Sequence, residues 1–236
     1  MDNIFIPSYN RSERVRTYEY LETGYIVVPK SQEKDYRKRY GDAVLVIADK
    51  LDGSVARKRN ALLELIKENT KQGWIIDDDL ECLRRKKENI KMKGDEALEH
   101  FERVEVMARD GEFKFAGFDY SGDNMKLKDM SPFSFNKVSF GCVYIDATDG
   151  LRYDERFKIC EDVDFFLQKM QKHRKILKDN QYQAVFYGDD GGSSSVIGYD
   201  IEMQKEYAKK INNKWGYGAM VWKGTGFRFY NPIKGV

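Results

Sequence analysis

Ile75-Ile76-Asp77-Asp78-Asp79 sets three carboxylates directly after an apolar run. Like charges packed at the end of a buried strand disfavour one another's ionisation and persist only beside something positive. A hard divalent ion with oxygen ligands, Mn2+ or Mg2+, meets that need and would in turn hold a diphosphate. The bland alternative is a solvated acidic turn capping the next helix. Arg57-Lys58-Arg59-Asn60 opens the preceding helix. Backbone N–H groups there already favour anions, so a guanidinium could hold a phosphate or pair with Asp77 or Asp79. Basic side chains in a first turn oppose the helix dipole, so their presence has a cost; a solvated basic turn is the alternative. Pro7-Ser8-Tyr9-Asn10-Arg11 brings a ring and hydroxyls that suit a nucleoside, or is an ordinary strand-to-helix turn.

Cys160-Glu161-Asp162-Val163-Asp164 starts a later helix. Its acids either complement the helix N-terminus or supply a general base, Asp162 first and Glu161 second, that deprotonates an acceptor hydroxyl. Asp164 is expected on the solvent face. The run Gly188-Asp189-Asp190-Gly191-Gly192-Ser193-Ser194-Ser195 reads as a loop. Its glycines permit close approach to phosphate, and Asp189 or Asp190 could complete a metal shell; a plain flexible loop is the alternative.

The elements that must position these groups follow from apolar patterning. Residues 3–6, 24–29, 43–48 and 74–76 are continuous apolar runs, the signature of strands buried on both faces of a parallel sheet. Polar stretches of helical character, 11–22 and 31–40, separate the first three. A helix spans 54–71, with Ser54 as N-cap and Val55, Leu62, Leu63 and Ile66 on one face, and Gly73 ends it. Residues 95–109 and 161–172 read as helices, 113–118, 137–146 and 183–187 as strands, and 201–213 as a last helix before a Gly- and aromatic-rich tail. One α/β domain over 1–236 is the simplest organisation. Residues 3–80 form its nucleotide-binding half, 81–200 its acceptor and catalytic half, and 201–236 a C-terminal helix and tail.

Composition excludes several classes. The 41 Lys and Arg against 39 Asp and Glu leave a net charge of +2, too little for a polybasic coating protein. Cys82, Cys142 and Cys160 lie far apart, so neither a zinc ribbon nor a disulfide scaffold fits, and free thiols suit a reducing compartment. Two histidines cannot build H-E-x-x-H, and there is no P-loop, no G-x-G-x-x-G after the first strand and no G-x-S-x-G elbow. The opening MDNIFIPSYNR is not patterned as a signal peptide, and no run reaches the roughly 18 apolar residues of a membrane span. The expectation is a cytoplasmic protein without membrane partners.

Strand-PSYNR, VVP, a helix carrying R-x-R-N, strand-DDD and a later E-D-V-D resemble, in order, a GT-A-type glycosyltransferase. More narrowly, the run IFIPSYNR, VVPKSQEKDY, ARKRNALLELI, WIIDDDLE, EDVDFFL and GGSSS resembles the phage TET-associated glycosyltransferases, a group thought to glycosylate 5-hydroxymethylated pyrimidines in viral DNA. The resemblance implies a GT-A-like, Rossmann-related, mostly parallel sheet flanked by helices. It also implies a UDP-sugar donor, a divalent metal and double-stranded DNA bearing 5-hydroxymethylcytosine, within an infected host cell. Pro7, Ser8, Tyr9, Arg11, Arg57, Arg59, Asn60, Asp77 and Asp78 are the expected donor-binding set. The family pattern gives Asp77 the ribose and Asp79 the metal, and places the base at Glu161-Asp162. Wider relatives use a late His on the metal, where this chain offers Asp189 and Asp190.

Two basic runs suit a DNA acceptor: 84–93, with Arg84, Arg85, Lys86 and Lys87, and 169–178, with Lys172, Arg174 and Lys175. Either could touch phosphates or be a solvated face. Trp215, Tyr217 and Trp222 could stack on a base or pack the tail. The expected reaction is in-line attack by the hydroxymethyl oxygen, with inversion. Rival readings are a glycosyltransferase for a polysaccharide, lipid or protein acceptor, a sugar-1-phosphate nucleotidyltransferase, whose Gly-rich first loop is missing here, and a non-catalytic DNA-binding module.

Overall fold

The computed structural model describes residues 2–120, 131–137, 139–187, 200–216, 218–223 and 226–234. The apolar runs become β1 (Ile4–Pro7), β2 (Tyr25–Pro29), β3 (Val44–Ile47) and β4 (Gln72–Ile76), paired in parallel in the order β3-β2-β1-β4. Successive side chains on a strand point to opposite faces. Ile4, Ile6, Trp74 and Ile76 therefore enter one core, while Phe5, Val27 and Ile75 enter the other. Two buried faces explain why these runs carry no polar alternation.

Beyond β4 the sheet is mixed. β9 (Cys142–Asp146) lies antiparallel between β4 and β7 (Phe115–Asp119). β10 (Leu177–Phe186) is parallel to β7 and antiparallel to β5 (Leu80–Arg85), and β6 (Ile90–Lys91) and β8 (Phe133–Ser134) extend that side. α1 (Arg16–Leu21), α2 (Glu33–Tyr40) and α4 (Gly94–Asp110) cover the first core, through Leu21, Tyr36 and Phe101 among others. α3 (Val55–Asn69), α5 (Glu161–His173) and α6 (Ile201–Trp215) cover the second, through Leu62, Phe166 and Ile211. The expected helix-flanked α/β sheet is thus present, wholly parallel over its first four strands. Among the described residues no helix is long and apolar enough to cross a membrane.

Local expectations fare unevenly. Ser54 caps α3, its hydroxyl accepting from the Arg57 N–H at 3.2 Å. Gly73 does not end that helix: α3 stops at Asn69, and Gly73 lies within β4, where a Cβ would stand 2.7 Å from the Asn3 carbonyl oxygen. The strand expected over 137–146 begins only at Cys142, and that expected at 183–187 is the end of the ten-residue β10. Asp164 is not on a solvent face. It is fully buried and binds α6, accepting from the Trp215 indole N–H at 2.7 Å and pairing with Lys214 at 2.7 Å. Trp215 is thereby tail packing, as is Trp222, which meets Phe227 edge-on in the hairpin of β11 (Met220–Trp222) and β12 (Phe227–Phe229). Tyr217 lies outside the described residues.

Trp74 is the largest fully buried side chain. It stacks on Phe118 at 5.6 Å, meets Phe101 edge-on at 4.6 Å and donates its indole N–H to Glu105 at 2.7 Å. Trp74→Ala should therefore cost about 3–5 kcal/mol, read as a lower urea midpoint; a loss below about 1 kcal/mol would show the first core does not depend on this ring.

Candidate active site

In an open α/β sheet, ligands bind beyond the carboxyl ends of the strands. Here β1 runs out into Ser8-Tyr9-Asn10-Arg11 and β4 into Asp77-Asp78-Asp79. The acidic turn is fixed by its backbone. The Asp77 N–H donates to the Gly141 carbonyl at 2.7 Å, and the Tyr187 N–H donates to the Asp79 carbonyl at 3.0 Å. Thr17 of α1 donates its hydroxyl to the Asp77 carbonyl and its N–H to the Asp78 carbonyl, and its hydroxyl accepts from the Leu80 N–H at 3.0 Å. Gly141 has φ +68, and a Cβ there would stand 2.7 Å from the Phe186 ring, so only glycine fits.

The three carboxylates turn to different partners. Asp77 pairs with Arg59 at 3.0 Å. Asp78 is buried, accepts from the Ser8 hydroxyl at 2.6 Å and pairs with Arg11. Tyr36 completes that cluster, its hydroxyl 2.9 Å from Ser8 Oγ and accepting the Arg11 N–H at 2.8 Å. Ser8, Arg11 and Asp78, expected on the donor, latch the β1 turn to the β4 turn. Among the described residues the one cation paired with Asp79 is Arg11, at 3.8 Å, and burial together with Asp77 and Asp78 pushes its carboxyl up to about 6. Lys58 is buried, donates to the Ser8 carbonyl at 2.8 Å, pairs with Asp52 at 2.8 Å and lies 5.3 Å from the centre of the half-buried Tyr9 ring. Pro7 closes β1 ahead of this cluster.

Arg59 is 8% exposed and bridges two acids: Nη2 to Asp77 at 3.0 Å and Nη1 to Glu161 at 2.8 Å. Burial opposes its charge, but Asp77 and Glu161 outweigh that and hold the guanidinium protonated. Two positions away, roughly 200° around the helix, Arg57 instead pairs with Glu155 at the surface, 3.0 Å away. Asn60 does not face a ligand either: its amide donates to the Tyr153 carbonyl at 2.9 Å and accepts the Tyr153 N–H at 2.8 Å, holding that loop. Asp162 lines a small pocket together with Arg59, Asp77, Phe140, Gly141 and Tyr153. Burial raises both helix carboxyls, Asp162 additionally raises Glu161, and Arg59 opposes the rise in each. Asp162 has no ion pair among the described residues, its Oδ1 accepting only the Val163 N–H at 2.7 Å. A raised carboxyl within a pocket suits proton abstraction.

The metal expectation rests on the chemistry of the donors. Among the described residues no group of three His, Cys, Asp or Glu side chains converges on a cation position, and Asp189 and Asp190 lie outside the described residues. Asp79 and Asp77 nonetheless suit a hard cation, because a positive ion would relieve the mutual repulsion that raises Asp79.

The basic runs do not form the expected faces. Lys86 is 2% exposed and paired with Asp119, so it cannot reach a phosphate; Arg84 is half-buried, and Arg85 and Lys87 are exposed. Lys175 donates to the Gly111 carbonyl at 2.7 Å and Lys172 to that of Asp149, while Arg174 is exposed. This second group sits at the far end of α5, roughly 18 Å along the axis from Glu161, so it does not flank the acids. Thr17, Tyr36, Tyr153 and Gly141 were missed because their partners are remote in sequence, which no local motif marks.

A β-α-β half with carboxylates at its strand ends, joined to a mixed second half, is a GT-A-like α/β architecture. The model of the family described as TET-Associated Glycosyltransferase matches residues 3–186, and the chain belongs to that family. Among solved structures it is similar to S. aureus TarS 1-349 in complex with UDP, at 15% identity and TM-score 0.51, over 90% of this chain and 66% of that one. It thus spans just under two thirds of the TarS chain, and at that identity the likeness concerns the fold. A197 from STIV aligns with 16% identity and TM-score 0.47, over 80% of this chain and 87% of that one. A putative nucleotide-diphospho-sugar transferase from Desulfovibrio desulfuricans G20 aligns with 10% identity and TM-score 0.42, over 90% of this chain and 98% of that one. Comparison with curated proteins finds no match.

Glu161 yields a pH prediction. Its carboxyl is raised in the folded state, so the unfolded chain releases that proton first, above roughly pH 4.3. The contribution to stability is present at low pH and lost as pH rises toward the folded value. Glu161→Gln should flatten the decline in stability between about pH 5 and 8, measured by urea unfolding. An unchanged slope would show that burial of Glu161 is fully offset by Arg59.

Proposed function

We propose that the protein transfers a sugar from a UDP-sugar to the hydroxymethyl oxygen of a 5-hydroxymethylated pyrimidine, most simply 5-hydroxymethylcytosine, in DNA. The observation that carries this reading is the joint presence of Asp162, Asp77 and Arg59 in one pocket at the carboxyl ends of the strands. The family name points to a base modified by a TET-type oxidation, and the UDP bound to TarS supports a uridine donor.

In this reading Asp162 accepts the acceptor's hydroxyl proton as that oxygen forms its bond to the anomeric carbon. The bond from that carbon to the diphosphate oxygen breaks, and UDP leaves with its electron pair. Glu161 is committed to Arg59 and keeps the guanidinium beside Asp77. That pairing favours Asp162 over Glu161 as base. Asp79 and Asp77 would hold a divalent ion, which supplies charge neutralisation for the departing diphosphate. Tyr9 and Lys58 border the β1 turn where a nucleoside would lie.

Mass spectrometry of nucleosides from hydroxymethylated DNA incubated with protein and a panel of UDP-sugars should show a sugar-mass gain. Asp162→Asn should lower the rate by at least about 100-fold with the fold intact. Turnover near wild type in that variant would remove the base assignment, and transfer only to non-nucleic hydroxyls would remove the acceptor. Asp79→Ala should abolish the Mn2+-dependent part of the thermal shift given by UDP; a retained shift would remove the metal assignment.

A further inference from the structure

Five aromatic side chains are markedly exposed among the described residues: Tyr120, Phe135, Tyr187, Trp222 and Tyr230. Two stand beside the site. Tyr187 is joined to the acidic turn by its N–H, and its ring already carries the Arg16 guanidinium, 3.7 Å from the centroid. Tyr120 is different. It follows the carboxyl end of β7, is 47% exposed, and meets Phe140 edge-on with centroids 5.0 Å apart. Phe140 lines the same pocket as Asp162 and Asp77. Burial, together with Asp162 and Asp119, raises the Tyr120 phenol.

The backbone beneath the ring follows a buried, paired carboxylate. The Tyr120 N–H donates to Asp119 Oδ1 at 3.0 Å, and Asp119 is buried between Lys86 and Lys178, the latter 2.7 Å away. A large ring left half uncovered against a residue that lines the pocket is suited to a flat partner. A nucleobase offers one whatever its sequence context, because every base has a π-face. A ring stacked there would also have to leave the duplex, as bases do for enzymes that act on them.

We propose that Tyr120, backed by Phe140, is the platform on which the acceptor's base stacks while its hydroxymethyl group is presented to Asp162. This rests on the DNA-acceptor reading above and adds the mode of recognition: the base is read as a planar ring outside the helix. Of the tail residues that the sequence offered for stacking, Trp215 is engaged by Asp164, and neither Trp222 nor its ring partner Phe227 lines the pocket.

The test is steady-state transfer to a hydroxymethylated oligonucleotide, single-stranded and duplex, by wild type and by Tyr120→Leu, Tyr120→Phe and Tyr120→Trp. Tyr120→Leu should raise the acceptor KM about tenfold or more, with a smaller change in kcat, whereas Phe and Trp should stay within about threefold of wild type. The UDP thermal shift reports that each variant is folded. The single strand should show a KM no higher than the duplex, since it need not be unstacked from a partner strand. An acceptor KM for Tyr120→Leu within about twofold of wild type, or Tyr120→Phe as impaired as Leu, would overturn the platform while wild-type transfer to DNA upheld the acceptor. No wild-type transfer to either DNA form, with transfer to another hydroxyl, would overturn the acceptor reading and the platform with it.

Discussion

The Arg59 guanidinium, buried between Asp77 and Glu161, is the interaction on which the rest of the site depends. It joins α3, the end of β4 and the start of α5, three elements that no shared strand pairing connects. A buried charge is tolerated only when paired and hydrogen-bonded. Each member of the trio therefore requires the other two, and the geometry is set by that mutual need rather than by packing alone. The two adjacent carboxylates that open α5 are inequivalent as a result: Glu161 is consumed by the bridge, while its neighbour Asp162 is left facing the pocket.

The same division of labour runs through the acidic turn. Asp78 points inward and ties the β1 turn to the β4 turn through Ser8 and Arg11. Asp77 points to Arg59, and Asp79 carries the unrelieved repulsion. Three identical residues in a row thus perform three tasks, because successive side chains leaving a strand meet three different surroundings. The tyrosines of α2 have a related part. Tyr36 reaches the Asp78 cluster, and Tyr40 accepts the Val15 N–H at 2.7 Å, so α2 steadies the loop between β1 and α1 from below.

Much of the fold was legible in the sequence because its signals are local. Runs such as IFI, YIVV and VLVI have to be buried on two faces, and Ser54 is a cap at the start of an amphipathic helix. The site was half legible. Arg59, Asp77 and Asp162 were found from type and order, and they share a pocket. Arg57, Asn60 and Asp78 carried the same local signal and turned out to brace neighbouring loops, since which way a helix or turn residue faces depends on distant partners such as Glu155 and Tyr153. The basic runs misled for a physical reason. Charge density along a chain is not charge density on a surface: Lys86, Lys169 and Lys178 fold inward onto Asp119 and Asp149. Tyr120 carried no signal at all, standing after a strand whose next neighbour in space, Phe140, is remote in sequence.

The acidic turn is held twice over: its amides and carbonyls meet Thr17, Gly141 and Tyr187, and the Asp77 and Asp78 side chains pair with Arg59, Arg11 and Ser8. It is in effect a socket: the peptide scaffold is assembled by neighbours, the Asp77 and Asp78 side chains are part of the mount, and Asp79 is plugged into it. Of the three acids, Asp79 can be exchanged with the least disturbance to that mount. Thr17 and Gly141, by contrast, tolerate little exchange, although neither carries any of the chemistry.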